Sequence, residues 1–179
     1  MGDYNWRRYQ KIAWTKAKYT GAGRNILYPC LGLVGEICDE LLPKLRTATG
    51  VKMEDEAMVE RIIITLGDAL WYVSAIAQTE NINLDRVMSS VHMASVASSP
   101  QRPDNNIVMP LIGWAGTMAN QGLQISNTRS VPDSFIAVLT LVAQGLTDIA
   151  ASMGVSISDV ADMNVNKIRG IPNRKEKVK

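Results

Sequence analysis

Glu36, Asp39 and Glu40 stand three and four residues apart, and Asp68 is the only charge in the apolar run Thr65-Leu66-Gly67-Asp68-Ala69-Leu70-Trp71-Tyr72. On a helix, spacings of three and four put the first three carboxylates on one face, beside Gly35. A charge inside an apolar run needs a partner wherever it is buried. If the helices that carry these acids pack antiparallel, the four carboxylates converge. Like charges sharing a site repel unless a divalent cation neutralises them, and hard oxygen donors of this kind suit Mg2+, with Mn2+ as the alternative.

Other chemistries find little support. His92 is the only histidine and has no Cys or His near it in sequence, so neither a zinc site nor a histidine-based hydrolase is indicated, and its expected role is structural. Cys30 and Cys38 share one expected helix, where eight residues separate them by ~12 Å, too far for a disulfide. A formal charge of +2 gives no general affinity for polyanions. Basic residues do gather at Arg7, Arg8, Lys11, Lys16 and Lys18, and again at Arg169, Arg174, Lys175, Lys177 and Lys179. Solvated faces account for both groups, and nucleic acid is not the expected partner. The segment Met1 to Arg8 lacks the apolar run of a signal peptide, and no stretch is an unbroken apolar run of membrane-spanning length. The expected location is the cytoplasm.

The elements that must position the acids are helical. Apolar residues recur at helical spacing almost throughout, with no alternation of period two, and 46% of the chain is hydrophobic, enough for a real core. The pattern predicts an all-α bundle forming a single domain over 1–179, with helices near 3–19, 27–47, 54–80, 84–97, 108–127, 133–153 and 157–169. Ser156 and Asp159 form the signature of a capping box at the start of the last of these.

An internal repeat organises this pattern. Asn25-Ile26-Leu27-Tyr28-Pro29-Cys30-Leu31-Gly32-Leu33-Val34-Gly35 matches Asn106-Ile107-Val108-Met109-Pro110-Leu111-Ile112-Gly113-Trp114-Ala115-Gly116, 81 positions on, with the proline and both glycines in register. Further along, Ile76-Ala77 and Ile82 to Val87 match Ile149-Ala150 and Val155 to Val160 at a spacing of 73. The expectation is two tandem copies, about 20–97 and 104–170, packed with pseudo-twofold symmetry. In the second copy Glu36 is replaced by Thr117, Asp39 by Asn120, Glu40 by Gln121 and Asp68 by Leu141. Scaffold residues stay while charges go, as expected if the acids serve a site and not the fold.

The segments Tyr28 to Glu40, Leu66-Gly67-Asp68-Ala69-Leu70-Trp71-Tyr72 and Asn164-Val165-Asn166-Lys167-Ile168-Arg169 resemble the MazG-like nucleoside triphosphate pyrophosphohydrolases, relatives of the dimeric dUTPases, over roughly 5–92 and 156–175. The resemblance implies Mg2+-dependent cleavage of a nucleoside triphosphate to monophosphate and pyrophosphate, with deoxynucleotides or modified nucleotides as substrates and a homodimer as the assembly. By the same resemblance Glu36 and Asp39 fill the family's first acidic pair and Asp68 ends the second. Two positions depart from the pattern. Thr65 stands where the family has Glu, and Glu40 is then the candidate extra ligand or base. The Asn-x-x-Lys element is missing from the first copy, where Val91 takes the Asn position, and appears in the second as Asn164 and Lys167, which implies a site shared between the halves. Lys44, Arg46, Lys167 and Arg169 are candidates to neutralise phosphate oxygens. Trp71 and Tyr72, with Trp6, Tyr9 and Trp14, are candidates to stack on a base. The mechanism expected is attack of a metal-activated water on the α-phosphorus. The alternatives are a degenerate copy that binds nucleotides without cleaving them, and a helical interaction or nucleic-acid-binding protein. A di-iron carboxylate bundle needs Glu-x-x-His motifs, which are absent.

Overall fold

The computed structural model describes residues 4–47, 53, 55–92 and 95–171, and among them the chain is all-helical, with no β-strand. Helix α1 (Trp6–Trp14) opens on Asn5, whose side chain accepts the Arg8 N–H. It ends well before the expected 19. Beyond it the chain turns through Gly21 and Gly23, both left-handed (φ +79° and +81°), and Tyr19 stacks on Tyr28 with ring centroids 4.1 Å apart. Helix α2 (Leu27–Gly35) runs without interruption into a π-helical turn (Glu36–Leu41) and α3 (Leu42–Thr47), so the expected 27–47 rod carries a widened turn in its middle. The start of the helix expected at 54, and the basic residues Arg174, Lys175, Lys177 and Lys179, lie outside the described residues.

Helix α4 (Glu56–Thr79) is started by Asp55, which accepts from the N–H groups of Ala57 and Met58. It is apolar on most of its circumference, as a central helix must be, and packs against α1, α2, α7 and α8. Helix α5 (Leu84–Met88) is far shorter than the expected 84–97. The Ser89 hydroxyl donates back to the Arg86 carbonyl, and Gln144 takes both backbone groups of His92. These bonds replace the ladder a longer helix would need. Helix α6 (Asn105–Thr128) begins earlier than expected because Asp104 caps it, accepting the Asn106 N–H. Helices α7 (Phe135–Ser152) and α8 (Ile157–Arg169) complete the bundle, and α8 opens on the expected capping box of Ser156 and Asp159. By length and composition α4 and α7 would each cross a bilayer, yet 72% and 61% of their most apolar windows are buried inside the bundle. Cys30 and Cys38 are free thiols, as the helix spacing requires.

Local geometry recurs between segments 73 positions apart. Asn81 and Gly154 are both left-handed (φ +56° and +78°). Next to them the Ile82 and Val155 N–H groups reach back to the Ala77 and Ala150 carbonyls at 2.8 and 3.1 Å. Asn83 and Ser156 then cap the following helices, which bury Leu84, Val87 and Met88 in one case and Ile157, Val160 and Ala161 in the other.

Candidate functional site

The acidic residues are placed by two helices that run antiparallel. Tyr72 packs on Gly32, where an added Cβ would fall 2.2 Å from the ring. One turn further along each helix, in opposite chain directions, Glu36 and Asp68 face one another closely enough for the Asp68 charge to act on Glu36. Gly32 is what permits this approach, because any side chain there would push α4 away.

Glu36 is half-buried, and its carboxyl is pushed up to about 7, first by burial, then by the charges of Asp68 and Glu40, against the pull of Lys167 and Lys44. Asp39 is not among these influences. The π-helical turn explains why. Its bonds close five residues apart, so each turn holds more residues than an α-turn. Glu40, four residues on, comes back over Glu36, while Asp39 falls away and is exposed. Glu40 is itself exposed and bound to Lys44 at 2.7 Å; that hydrogen bond, then the Lys44 charge, holds its carboxyl below the usual range. Arg46 is exposed on α3. Among the described residues no three His, Cys, Asp or Glu side chains form a group able to hold a metal ion.

Asp68 is the best-connected member. The Lys167 ammonium donates to both carboxylate oxygens, at 2.7 and 2.5 Å, and the Asn164 side-chain amide approaches at 3.4 Å. Both partners come from α8, as the position of the Asn-x-x-Lys element implied. Asn164 fits where Gly67 leaves room, 3.1 Å from the place a Cβ would take. The position of the missing family glutamate, Thr65, is 4% exposed, and its hydroxyl donates to the Arg61 carbonyl.

The aromatic candidates divide. Tyr72 lines the carboxylate groove; burial, then Tyr28, Glu36 and Asp68, hold its phenol above the usual range. Trp71 meets Tyr72 edge to face and donates its indole N–H to the Ala13 carbonyl at 2.8 Å, which ties α4 to α1. Trp6 and Tyr9 are 6% and 1% exposed and offer no face to a base. The structure thus brings together Glu36, Asp68, Asn164, Lys167 and Tyr72. It leaves Asp39, the Glu40–Lys44 pair and Arg46 toward solvent. Two features gave no signal in the sequence: the π-helical turn, and the Tyr9 hydroxyl, which donates to Asn164 Oδ1 at 3.0 Å. No family model, curated protein or solved structure matches this chain.

Proposed function

We propose that the chain is a Mg2+-dependent nucleoside triphosphate pyrophosphohydrolase of the MazG-like kind, with its site on the π-helical turn that follows α2, on α4 and on α8. The observation that carries this reading is the opposition of Glu36 and Asp68 across an antiparallel helix pair, with Asn164 and Lys167 closing the same site. Glu36 and Asp68 are the two carboxylates that would hold the cation, with waters completing its shell. Burial first, and then the charge of Asp68 facing it, push the Glu36 carboxyl up to about 7, and a divalent cation held there would favour the ionised form. Asp39 and Glu40 remain proposed further ligands, reached from the solvent side. Magnesium, when bound, polarises a phosphate oxygen and lowers the pKa of a water. In this reading Lys167 would donate to a phosphate oxygen, Asn164 would orient Asp68, and Tyr72 would form one wall of the site.

We also read the chain as two related copies, of which the second has lost its acids. This is supported by the recurring caps and left-handed positions, and by α7 burying Phe135, Val138, Leu139, Val142, Ala143, Leu146, Thr147, Ile149 and Ala150 where α4 buries Ile62, Thr65, Leu66, Ala69, Leu70, Val73, Ser74, Ile76 and Ala77. A second reading, nucleotide binding without cleavage, is favoured by one observation: the buried Thr65 supplies no carboxylate. A panel of canonical and modified nucleoside triphosphates with Mg2+, analysed for monophosphate and pyrophosphate, separates the two. Release of both products supports the enzyme. Calorimetric binding with no product supports the second reading, and neither binding nor product removes both.

A further inference from the structure

Tyr9 belongs to α1, which carries none of the acidic or basic residues of the site. Its ring is buried and held by Trp6 edge to face, with centroids 6.1 Å apart. Its hydroxyl has one partner, Asn164 Oδ1, at 3.0 Å. Asn164 is itself 4% exposed and bridges inward from α8 to Asp68. Three helices therefore meet in one chain of hydrogen bonds, from Tyr9 through Asn164 to Asp68.

The chemistry of the amide makes this chain directional. An ionised carboxylate only accepts, so the Asn164 face toward Asp68 must be Nδ2, and Oδ1 is left to face α1. A flipped amide would set a carbonyl oxygen against the carboxylate. Burial keeps the Tyr9 hydroxyl protonated, well above its usual range, so its proton is held ready to donate to Oδ1 in the orientation that Asp68 selects. Gly67 supports the same arrangement from the other side, since a Cβ there would lie 3.3 Å from Asn164 Nδ2.

We infer that Tyr9 is a positioning residue for the proposed metal and phosphate site: through its hydroxyl it fixes the Asn164 amide, and the amide in turn fixes one oxygen of Asp68. The inference rests on the proposed hydrolase reading for its catalytic consequence, and on geometry alone for its structural one.

The test uses the full chain and Tyr9→Phe, which keeps the buried ring and removes only the oxygen. Three quantities are read. The Asn164 side-chain amide signals in 1H–15N NMR should shift and exchange faster with water. Mn2+ affinity, measured with the metal alone, should fall ~10-fold, the scale of one well-made hydrogen bond. Turnover should fall by a similar factor with KM unchanged, a split that a purely structural loss does not produce while the protein remains folded. Gly67→Ala, which crowds the amide from the opposite side, should move the same three readouts in the same direction. Unchanged Asn164 signals, or Mn2+ affinity within twofold of wild type in Tyr9→Phe, would overturn the inference. If the wild-type chain hydrolyses no nucleotide, the hydrolase reading falls, while the amide signals and Mn2+ affinity still decide the role of Tyr9.

Discussion

Alanine at Gly32 and alanine at Gly113 should have opposite effects on stability, although the two glycines occupy matching positions in the similar sequence segments 25–35 and 106–116. Each sits inside a helix, where replacing Gly by Ala gains ~1 kcal/mol of helix propensity. At Gly113 nothing lies within 4 Å of the new methyl, so the gain is realised in full and Tm should rise by ~2–4 °C for a chain of this size. At Gly32 the methyl would lie 2.2, 2.6 and 2.9 Å from three ring carbons of Tyr72. Those separations are far inside van der Waals contact. Either the ring or all of α4 must move, and overpacking of this kind costs ~1–3 kcal/mol. The net change at Gly32 is therefore a loss of up to ~2 kcal/mol, a fall in Tm of several degrees. Moving Tyr72 also disturbs the groove beside Glu36, so Gly32→Ala should lower turnover as well. Thermal melts of the two variants beside wild type decide the matter. A Tm rise in both, or equal shifts, would refute the close approach of α2 and α4 on which the site depends.

The other predictions concern the ionisable groups. Asp68→Asn should abolish hydrolysis while leaving the melt close to that of wild type, since it removes a ligand but also a repelling charge; wild-type turnover would remove Asp68 from the site. Because the folded-state pKa of Glu36 is raised to about 7, its contribution to stability is fully present below its unfolded value and is lost as pH rises through about 7. Glu36→Gln should therefore flatten the dependence of the denaturant midpoint on pH between 4.5 and about 7, and an unchanged slope would show that Glu36 is not perturbed. Thr65→Glu puts a carboxylate where the native residue is 4% exposed; it should lower Tm in metal-free buffer, with recovery in Mg2+ if the new group reaches the cation. An Ellman assay of the native protein should count one fast thiol, Cys38, because burial pushes the Cys30 thiol up to about 12; two fast thiols would contradict the packing of α2.

Several features of the fold were legible because they rest on local chemistry. The capping box of Ser156 and Asp159 follows from two residue types three apart, and the long helices follow from apolar periodicity. The short α1 and α5 were not legible. Beyond their ends the chain is held by distant partners: the Tyr19–Tyr28 stack in one case and Gln144 on the His92 backbone in the other. In the candidate site, the resemblance grouped Asp68 with Asn164 and Lys167, and these three are joined by hydrogen bonds. The π-helical turn was hidden, since nothing in Glu36 to Leu41 distinguishes it from an α-turn. It is this turn that separates Asp39 from Glu36 where regular helical spacing had grouped them. Tyr9 was hidden for a different reason: a tyrosine on an apolar helix face looks the same whether its hydroxyl is idle or engaged.

The pairing of Asp68 with Lys167 spans 99 positions of the chain, and this has a consequence for synthesis. A ribosome that has released α2 and α4 has made Asp68 but not its cationic partner, and that carboxylate stays unpaired with Lys167 until α8 follows. A chain interrupted before α8 thus carries an acidic groove with neither the ammonium nor the amide that completes it.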